Sequence, residues 1–308
     1  MTEGSNGVLL QSGGPRFGER VFYVQDDVRH WIQDAAWLAE NGFQWPDSVT
    51  KTSDAELARF RAGRPFPRSW TSADRQSPPR HSSLTMREVA ASFLHGSGIE
   101  IGAGSGPLPI PQGCDVKYAD RLDHQQLQTN SYPGQVAEEM MVPELIVELD
   151  SLDGIADGSA DFVAASHVIE HTRNPIRAIV DASGKIRPGG HLLLIVPDMT
   201  QTFDHARELT TLAHLILDFY DPSAERDKQH FQEFYKIASA TPADDFQRVW
   251  MEAWATRFPI HYHTWTYESF REMVDWIIQS FDCYAGFWSQ PTIGNEFYFV
   301  LHRPLAGA

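Results

Sequence analysis

The chain has 308 residues, 42% hydrophobic and 21% charged, which is enough to bury the core of one elaborated domain, with or without a small appendage. Its formal net charge of −16, with no basic patch evident, disfavours nucleic acid as a partner. Two cysteines do not make a disulfide framework, and no stretch approaches the roughly 20 apolar residues that cross a bilayer, so we expect a cytoplasmic protein without membrane contact.

The chain begins with what we predict to be a small α+β accessory module. Residues 21–24 and 29–32 read as two short strands around a turn, and 34–41 read as a helix that Gly42 ends. A segment rich in proline and serine follows, and it cannot sustain regular structure. The predicted parts are therefore the accessory module at 1–63, a linker at 64–83 and the main domain at 84–308.

The main domain alternates short apolar runs with helical segments, which is typical of a parallel sheet covered on both faces. It opens with helical spacing at 84–94. We predict strands at 98–102, 115–119, 145–149, 161–165, 191–196, 282–288 and 296–302, and helices at 174–185 and 266–280. The stretch from 200 to 260 is long, rich in aromatic residues and helical in its residue pattern. We predict that it forms a cap over a binding site.

A glycine-rich turn, Gly102-x-Gly104-x-Gly106, follows the first strand of this domain. Glycines there let the main chain approach a ligand closely at the carboxyl edge of a sheet. The prolines after Gly106 disfavour a regular helix start, and with it pyrophosphate binding. Glu100, just before the turn, suits a ligand with a positive amino group. Asp120 ends the next strand, where a carboxylate accepts hydrogen bonds from both hydroxyls of an unphosphorylated ribose.

Five segments in this order resemble the class I S-adenosylmethionine-dependent methyltransferases. They are residues 99–106, 120–121, 157–163, 166–171 and 187–190. The resemblance covers about residues 84–200. It implies a Rossmann-like α/β fold: a seven-stranded, mostly parallel sheet with helices on both faces and a helical cap insertion. It also implies S-adenosyl-L-methionine as cofactor and S-adenosyl-L-homocysteine as product.

The resemblance further implies which residues contact the cofactor. They are Glu100 and the backbone of Ile101, Gly102, Ala103 and Gly104 for the methionine part, Asp120 with Arg121 for the ribose, Asp150, Ser151 and Leu152 for the adenine, and Ser166 with His167 beside the sulfonium.

Two histidines are the catalytic candidates. If the residues after the fourth strand open a helix, His167, Glu170 and His171 share one face. His167 or His171 would then remove or orient the proton of a substrate hydroxyl. The same string matches a zinc-peptidase pattern, in which two histidines bind metal and a glutamate handles the water proton. That pattern belongs in a longer helix with another ligand downstream, so we assign no metal; a packing role for His171 stays open.

The cap supplies the candidate acceptor contacts. Asp204, Arg207 and His214 suit a hydroxyl-rich ligand or internal salt bridges that fix the cap. His261 and His263 share a face if extended, which leaves metal binding, packing and substrate contact open.

With this long insert, the chain resembles methyltransferases of saccharide and secondary-metabolite pathways. We therefore expect methyl transfer to a hydroxyl of a polar small molecule. The alternatives are N- or carboxyl methylation, a non-catalytic cofactor-binding protein and, remotely, a zinc hydrolase. Self-association into a homo-oligomer is compatible with the sequence.

Overall fold

The computed structural model contains two separate β-sheets. It describes residues 7–12, 21–25, 28–32, 38, 42–44, 46–57, 59–62, 85–131, 140–239 and 241–305. The linker predicted at 64–83 lies outside the described residues, as does all of the predicted helix 34–41 except Leu38.

The N-terminal sheet has five short strands in the order β4-β1-β2-β3-β5. They are β1 (Val8–Gln11), β2 (Val21–Gln25), β3 (Val28–Ile32), β4 (Val49–Lys51) and β5 (Arg61–Ala62), with helix α1 (Asp54–Leu57) between the last two. The two strands predicted at 21–24 and 29–32 are confirmed, since β2 and β3 pair antiparallel. The boundaries of the accessory module as a domain stay a prediction.

The second sheet has seven strands in the order β11-β12-β10-β9-β6-β7-β8. They are β6 (Ser97–Ile101), β7 (Asp115–Asp120), β8 (Leu145–Ile146), β9 (Ala160–Ser166), β10 (Ile186–Pro197), β11 (Gly286–Ile293) and β12 (Glu296–His302). The five strands β10, β9, β6, β7 and β8 pair parallel with their neighbours. Strand β12 runs antiparallel to both β10 and β11. This is the predicted α/β class with a seven-stranded, mostly parallel sheet.

Helices cover this sheet and build the cap. They are α2 (Met86–Ala91), α3 (His124–Gln126), α4 (Pro175–Lys185), α5 (Leu212–Tyr220), α6 (Ala224–Ile237), α7 (Ala243–Thr256) and α8 (Tyr267–Ser280). Helix α4 begins where its sequence predicts. The Asn174 side chain accepts a hydrogen bond from the Arg177 amide, and Pro175 fits the first helical position because an N–H there would have no partner in the helix. Two apolar clusters, which include Val163 and Leu194 in one and Phe162 and Leu193 in the other, sandwich the sheet.

Two strands differ from the prediction. The strand predicted at 282–288 begins at Gly286, because Tyr284 is buried instead and its hydroxyl donates to the Ile179 carbonyl at 2.9 Å. The strand predicted at 145–149 ends at Ile146, since the chain turns back through a bridge between Glu148 and Ser151. Residues 102–114, all of them described, form no helix between β6 and β7, as the prolines after Gly106 predict.

The predicted cap is helical, with α5, α6 and α7 preceded by the 3-10 helices Met199–Gln201 and Phe203–Ala206. None of these or the other described helices combines the length and apolar character needed to cross a membrane.

Candidate functional site

The glycine-rich turn lies at the topological switch point of the main sheet. Chain order reverses between β6 and β9, and ligands of open α/β sheets bind at such points. The turns after these two strands touch, since a Cβ on Gly102 would lie only 2.5 Å from the Val168 side chain. Gly102 and Gly104 have φ angles of +72° and +50°, which favour glycine. The turn therefore brings bare main chain to the edge of the sheet.

Glu100 is fully buried beneath this turn and only half satisfied. Its Oε1 accepts a hydrogen bond from the Leu108 amide at 2.9 Å. Its Oε2 has no hydrogen-bond partner among the described residues. Burial raises the pKa of Glu100 to about 7, although the Leu108 amide and Arg87 oppose the rise. One carboxylate oxygen thus remains available for a cationic group.

Asp120 and Asp150 are two further acidic residues at this edge. Asp120 ends β7, and burial raises its pKa against the opposing effect of the Arg121 and Leu122 amides. Asp150 Oδ2 accepts the Arg173 amide at 3.0 Å, and burial raises the pKa of Asp150 as well. The other oxygen of Asp150, Oδ1, is buried and finds no partner in the described part of the chain.

His167 is held at the switch point by Glu296. Its Nε2 lies 2.8 Å from Glu296 Oε2, and Arg87 donates to the two oxygens of the same carboxylate at 2.8 and 2.7 Å. Burial opposes ionisation of Glu296, but the hydrogen bonds from Arg87 and His167 outweigh it and lower its pKa to about 2. The carboxylate therefore assigns the proton to Nε2 and leaves Nδ1 as an acceptor. His167 also has a φ of +54°, a strained value that clusters at functional sites.

Glu170 is buried between two histidines. Its Oε1 lies 3.9 Å from His167 Nδ1 and 4.0 Å from His261 Nε2. Neither of its oxygens has a hydrogen-bond partner within the described ranges. Burial, aided by the nearby Asp204 and opposed by a backbone hydrogen bond, raises the pKa of Glu170 to about 8. The group is therefore mostly a neutral acid at pH 7.

His171 lies in the 3-10 helix Ile169–His171 and packs on His261, with 4.7 Å between the ring centroids. Its Nδ1 lies 2.9 Å from the Ile260 carbonyl, to which it donates. Burial, aided by His261, lowers the pKa of His171 to about 3. A ring with so low a pKa is a weak base, so this geometry favours an orienting role.

Asp204 and Arg207 form an internal network around His261. The Nδ1 of His261 lies 2.6 Å from Asp204 Oδ2, and Arg207 donates to the other oxygen of Asp204 at 2.9 Å. Arg207 also contacts Glu233 at 3.2 Å and donates to the carbonyls of His261 and Tyr262 at 2.8 and 3.3 Å. Burial favours a higher pKa for Asp204, but the hydrogen bonds and charges of His261 and Arg207 outweigh burial. The net effect is a pKa below the ordinary value. The network fixes the direction of the His261 ring.

A family model described as a methyltransferase domain matches residues 73–276 of the chain. The chain belongs to the S-adenosylmethionine-dependent methyltransferases of class I. No curated protein sequence matches the methyltransferase.

Among solved structures, the methyltransferase is similar to three proteins of low sequence identity. A S-adenosylmethionine-dependent methyltransferase from Thermotoga maritima has 14% identity and a TM-score of 0.40, over 73% of this chain and 89% of its own. One from Methanosarcina mazei has 14% identity and a TM-score of 0.37, over 72% of this chain and 100% of its own. An O-methyltransferase family protein from Burkholderia thailandensis has 13% identity and a TM-score of 0.35, over 72% of this chain and 56% of its own.

The residues at the switch point fit S-adenosylmethionine. The unpaired Glu100 oxygen suits the positive amino group of the cofactor, and Asp120 ends the neighbouring strand as a ribose contact requires. Asp150 retains a buried acceptor at the position predicted for the adenine, beside buried Leu152 and exposed Ser151. The other predicted contacts line the same edge: Ile101 and Ser166 end β6 and β9, Ala103 lies in the glycine-rich turn, and Arg121 follows Asp120.

The histidines do not form the helical face expected from their spacing. His167 precedes a 3-10 helix of only three residues, and its ring turns toward Glu296. The zinc-peptidase arrangement of His167 and His171 is therefore not formed. His261 and His263 also separate: His261 binds Asp204, whereas His263 lies with His214 in a second cluster.

Sequence reasoning missed Glu296 and Arg87. Neither belongs to a recognisable motif, and Glu296 lies 129 residues after the histidine that it holds. A topological signal was available, however. An antiparallel final strand starts at the edge where the parallel strands end, so the first residue of β12 belongs at the site.

Proposed function

We propose that the methyltransferase transfers a methyl group to a hydroxyl of a polar small molecule, either a saccharide or a secondary metabolite. The supporting observation is His167, which Glu296 orients at the switch point with Nδ1 left as an acceptor. Bound S-adenosylmethionine supplies an electrophilic methyl group on a sulfonium. A hydroxyl oxygen is a weak nucleophile until it loses its proton, so a fixed base adds to what alignment alone provides.

In this proposal His167 receives the hydroxyl proton at Nδ1 as the oxygen attacks. The Glu296 carboxylate, 2.8 Å from Nε2, stabilises the imidazolium that results. Arg87 positions Glu296. The neutral Glu170 carboxyl, 3.9 Å from Nδ1, leaves that nitrogen without a competing carboxylate.

We retain His261 as the acceptor contact with most support, since Asp204 fixes its ring 4.7 Å from that of His171. We assign Arg207 to positioning of His261, because the guanidinium is buried and bonded internally.

The net charge of −16 supports a small acceptor rather than nucleic acid. We also propose a cytoplasmic location without membrane contact. The support is the presence of only two cysteines, which do not make the disulfide framework of an oxidising compartment.

The test is turnover of a panel of saccharides and secondary metabolites, with the methylated atom identified by mass spectrometry and NMR. For an accepted substrate, we expect His167→Gln to lower kcat by about 10²- to 10⁴-fold, the usual contribution of a general base. Its dissociation constant for S-adenosylmethionine should stay within about twofold of wild type, because the contacts assigned to the Glu100 and Asp120 carboxylates remain. Glu296→Gln should lower kcat less and shift the pH–rate profile.

The matched control is His205→Gln, which removes a histidine exposed in the 3-10 helix Phe203–Ala206. It should keep wild-type kcat. Full activity in His167→Gln would contradict the assignment of His167 as the base. Methyl groups found on nitrogen or on a carboxylate would replace O-methylation by the alternative chemistry.

A further inference from the structure

A second histidine cluster lies within the cap, and the methyl-transfer site does not use it. His214 and Asp218 are one turn apart on α5, His230 lies on α6, and His263 lies in the segment before α8. Asp218, His230 and His263 are buried, and His214 is half-buried. Four ligand groups from three parts of the chain thus converge away from bulk water.

The spacing suits a small cation. One ligand atom from each residue lies within 4.8 Å of every other. The Nε2 of His214 is 3.2 Å from His230 Nε2 and 2.9 Å from Asp218 Oδ2. Ligands at about 2.0–2.1 Å from a tetrahedral zinc ion are separated by about 3.3 Å, so two of the contacts are already close to that geometry.

Hydrogen bonds alone leave the cluster unsatisfied. The Nε2 of His214 faces both an imidazole nitrogen and a carboxylate oxygen, yet a ring nitrogen offers only one proton or one lone pair. Within the described residues, His263 Nδ1 is buried without a hydrogen-bond partner, and Asp218 Oδ2 is contacted by the same His214 Nε2 that also faces His230. Buried polar atoms without partners are costly, and a bound ion is one of the features that explain them.

The outer contacts are those that ligating side chains normally make. The Nε2 of His263 lies 3.3 Å from the Arg173 carbonyl, which leaves Nδ1 directed at the cluster. The other oxygen of Asp218, Oδ1, accepts from Arg226 at 2.6 Å. Second-shell bonds of this kind fix the tautomer and the orientation of metal ligands.

We propose that His214, Asp218, His230 and His263 bind one zinc ion. Three imidazoles and one carboxylate suit a borderline divalent transition metal, and tetrahedral coordination by four side chains is typical of closed structural sites. The ion would join α5 and α6 to the segment that carries His261. It supports the shape of the cap and takes no part in methyl transfer, so the inference stands or falls independently of the acceptor.

The experiment uses the full chain without an affinity tag. Apoprotein prepared with a chelator is reconstituted with zinc sulfate, and bound metal is determined by mass spectrometry and by competition with a chromophoric chelator. We expect one zinc per chain and a higher melting temperature than that of the apoprotein. Cobalt(II) should give the visible absorption of a tetrahedral site.

Asp218→Asn and His230→Gln should weaken zinc binding by roughly 100-fold or more, while Arg226→Met should weaken it by about 10- to 100-fold through the second shell. Wild-type affinity for S-adenosylmethionine establishes that a variant is folded. His205→Gln is the control for an exposed histidine, and His171→Gln is the control for the neighbouring group of Glu170, His171 and His261.

Both control variants should keep the ion. Failure of reconstituted wild type to hold zinc overturns the site, as does wild-type zinc affinity in folded Asp218→Asn and His230→Gln. Loss of zinc in His171→Gln but not in those two variants would assign the metal to the other group.

Discussion

Two carboxylates at the ends of neighbouring strands carry the cofactor assignment at the scale of residues. Glu100 is buried with one oxygen unpaired among the described residues, and Asp120 ends β7 one position beyond the Ile101–Ala119 pair. Such groups are expensive to bury without a ligand, because each loses its hydration. A cationic amino group and a ribose would recover part of that cost.

Glu100→Gln and Asp120→Asn should each weaken S-adenosylmethionine binding by about 1–3 kcal/mol, since each removes a charge-assisted hydrogen bond. Calorimetric titration measures the change. The matched control is Asp115→Asn, which alters an exposed carboxylate at the opposite end of β7 and should bind as wild type does. Unchanged affinity in both site variants would contradict the assignment of these residues to the cofactor.

The same titration has a pH signature. Because the pKa of Glu100 is raised to about 7, the charged form is lost as the pH falls through that value. Wild-type affinity should therefore be weaker at pH 6 than at pH 8, and Glu100→Gln should lose much of this dependence.

At the scale of elements, periodicity predicted what depends on local sequence. The capped helix α4 and the buried strand β9 match their predictions closely, since apolar spacing and helix-start signals lie within a few residues. Strand β11 was misplaced because Tyr284 packs against α4, a contact 105 residues apart that spacing does not record. The links to Glu296 and the second histidine cluster escaped prediction for the same reason: they depend on tertiary distance.

Arg207 joins the start of the cap, α6 and the segment before α8. Arg207→Met should destabilise the protein by about 3–5 kcal/mol, because Asp204 and Glu233 lose their cationic partner in a buried network. Urea unfolding measures the loss. Arg271→Met is the control, since its ion pair with Asp275 on α8 is exposed and should be worth at most about 1 kcal/mol. Equal stability of the two variants would show that the network does not hold the cap.

For the whole molecule, buried acids link stability to pH. The pKa of Glu170 is about 8 in the folded protein against an ordinary 4.5, so the folded state retains a proton that the unfolded chain releases. This contribution to stability is complete at low pH and is lost as the pH rises toward 8. Its slope is at most about 1.4 kcal/mol per pH unit.

Glu170→Gln replaces the neutral acid by an amide of similar shape. Wild type should lose stability between pH 5 and pH 8, whereas Glu170→Gln has no group at this position to titrate. The unfolding free energy of the variant minus that of wild type should therefore rise over this range, as measured by urea unfolding. Glu272→Gln, at an exposed position on α8, should show no such trend. A constant difference between Glu170→Gln and wild type would mean that Glu170 is ionised in the folded protein.

The contact of Glu296 with His167 and Arg87 also bears on how activity is acquired during folding. It joins positions 129 and 209 residues apart, so loop closure over most of the main domain must precede it. A folding intermediate with formed helices but an undocked β11–β12 hairpin leaves the proposed base without its anchor. In the proposed mechanism, full turnover therefore requires the β11–β12 hairpin to be docked beside β10, so that recovered activity reports this long-range contact.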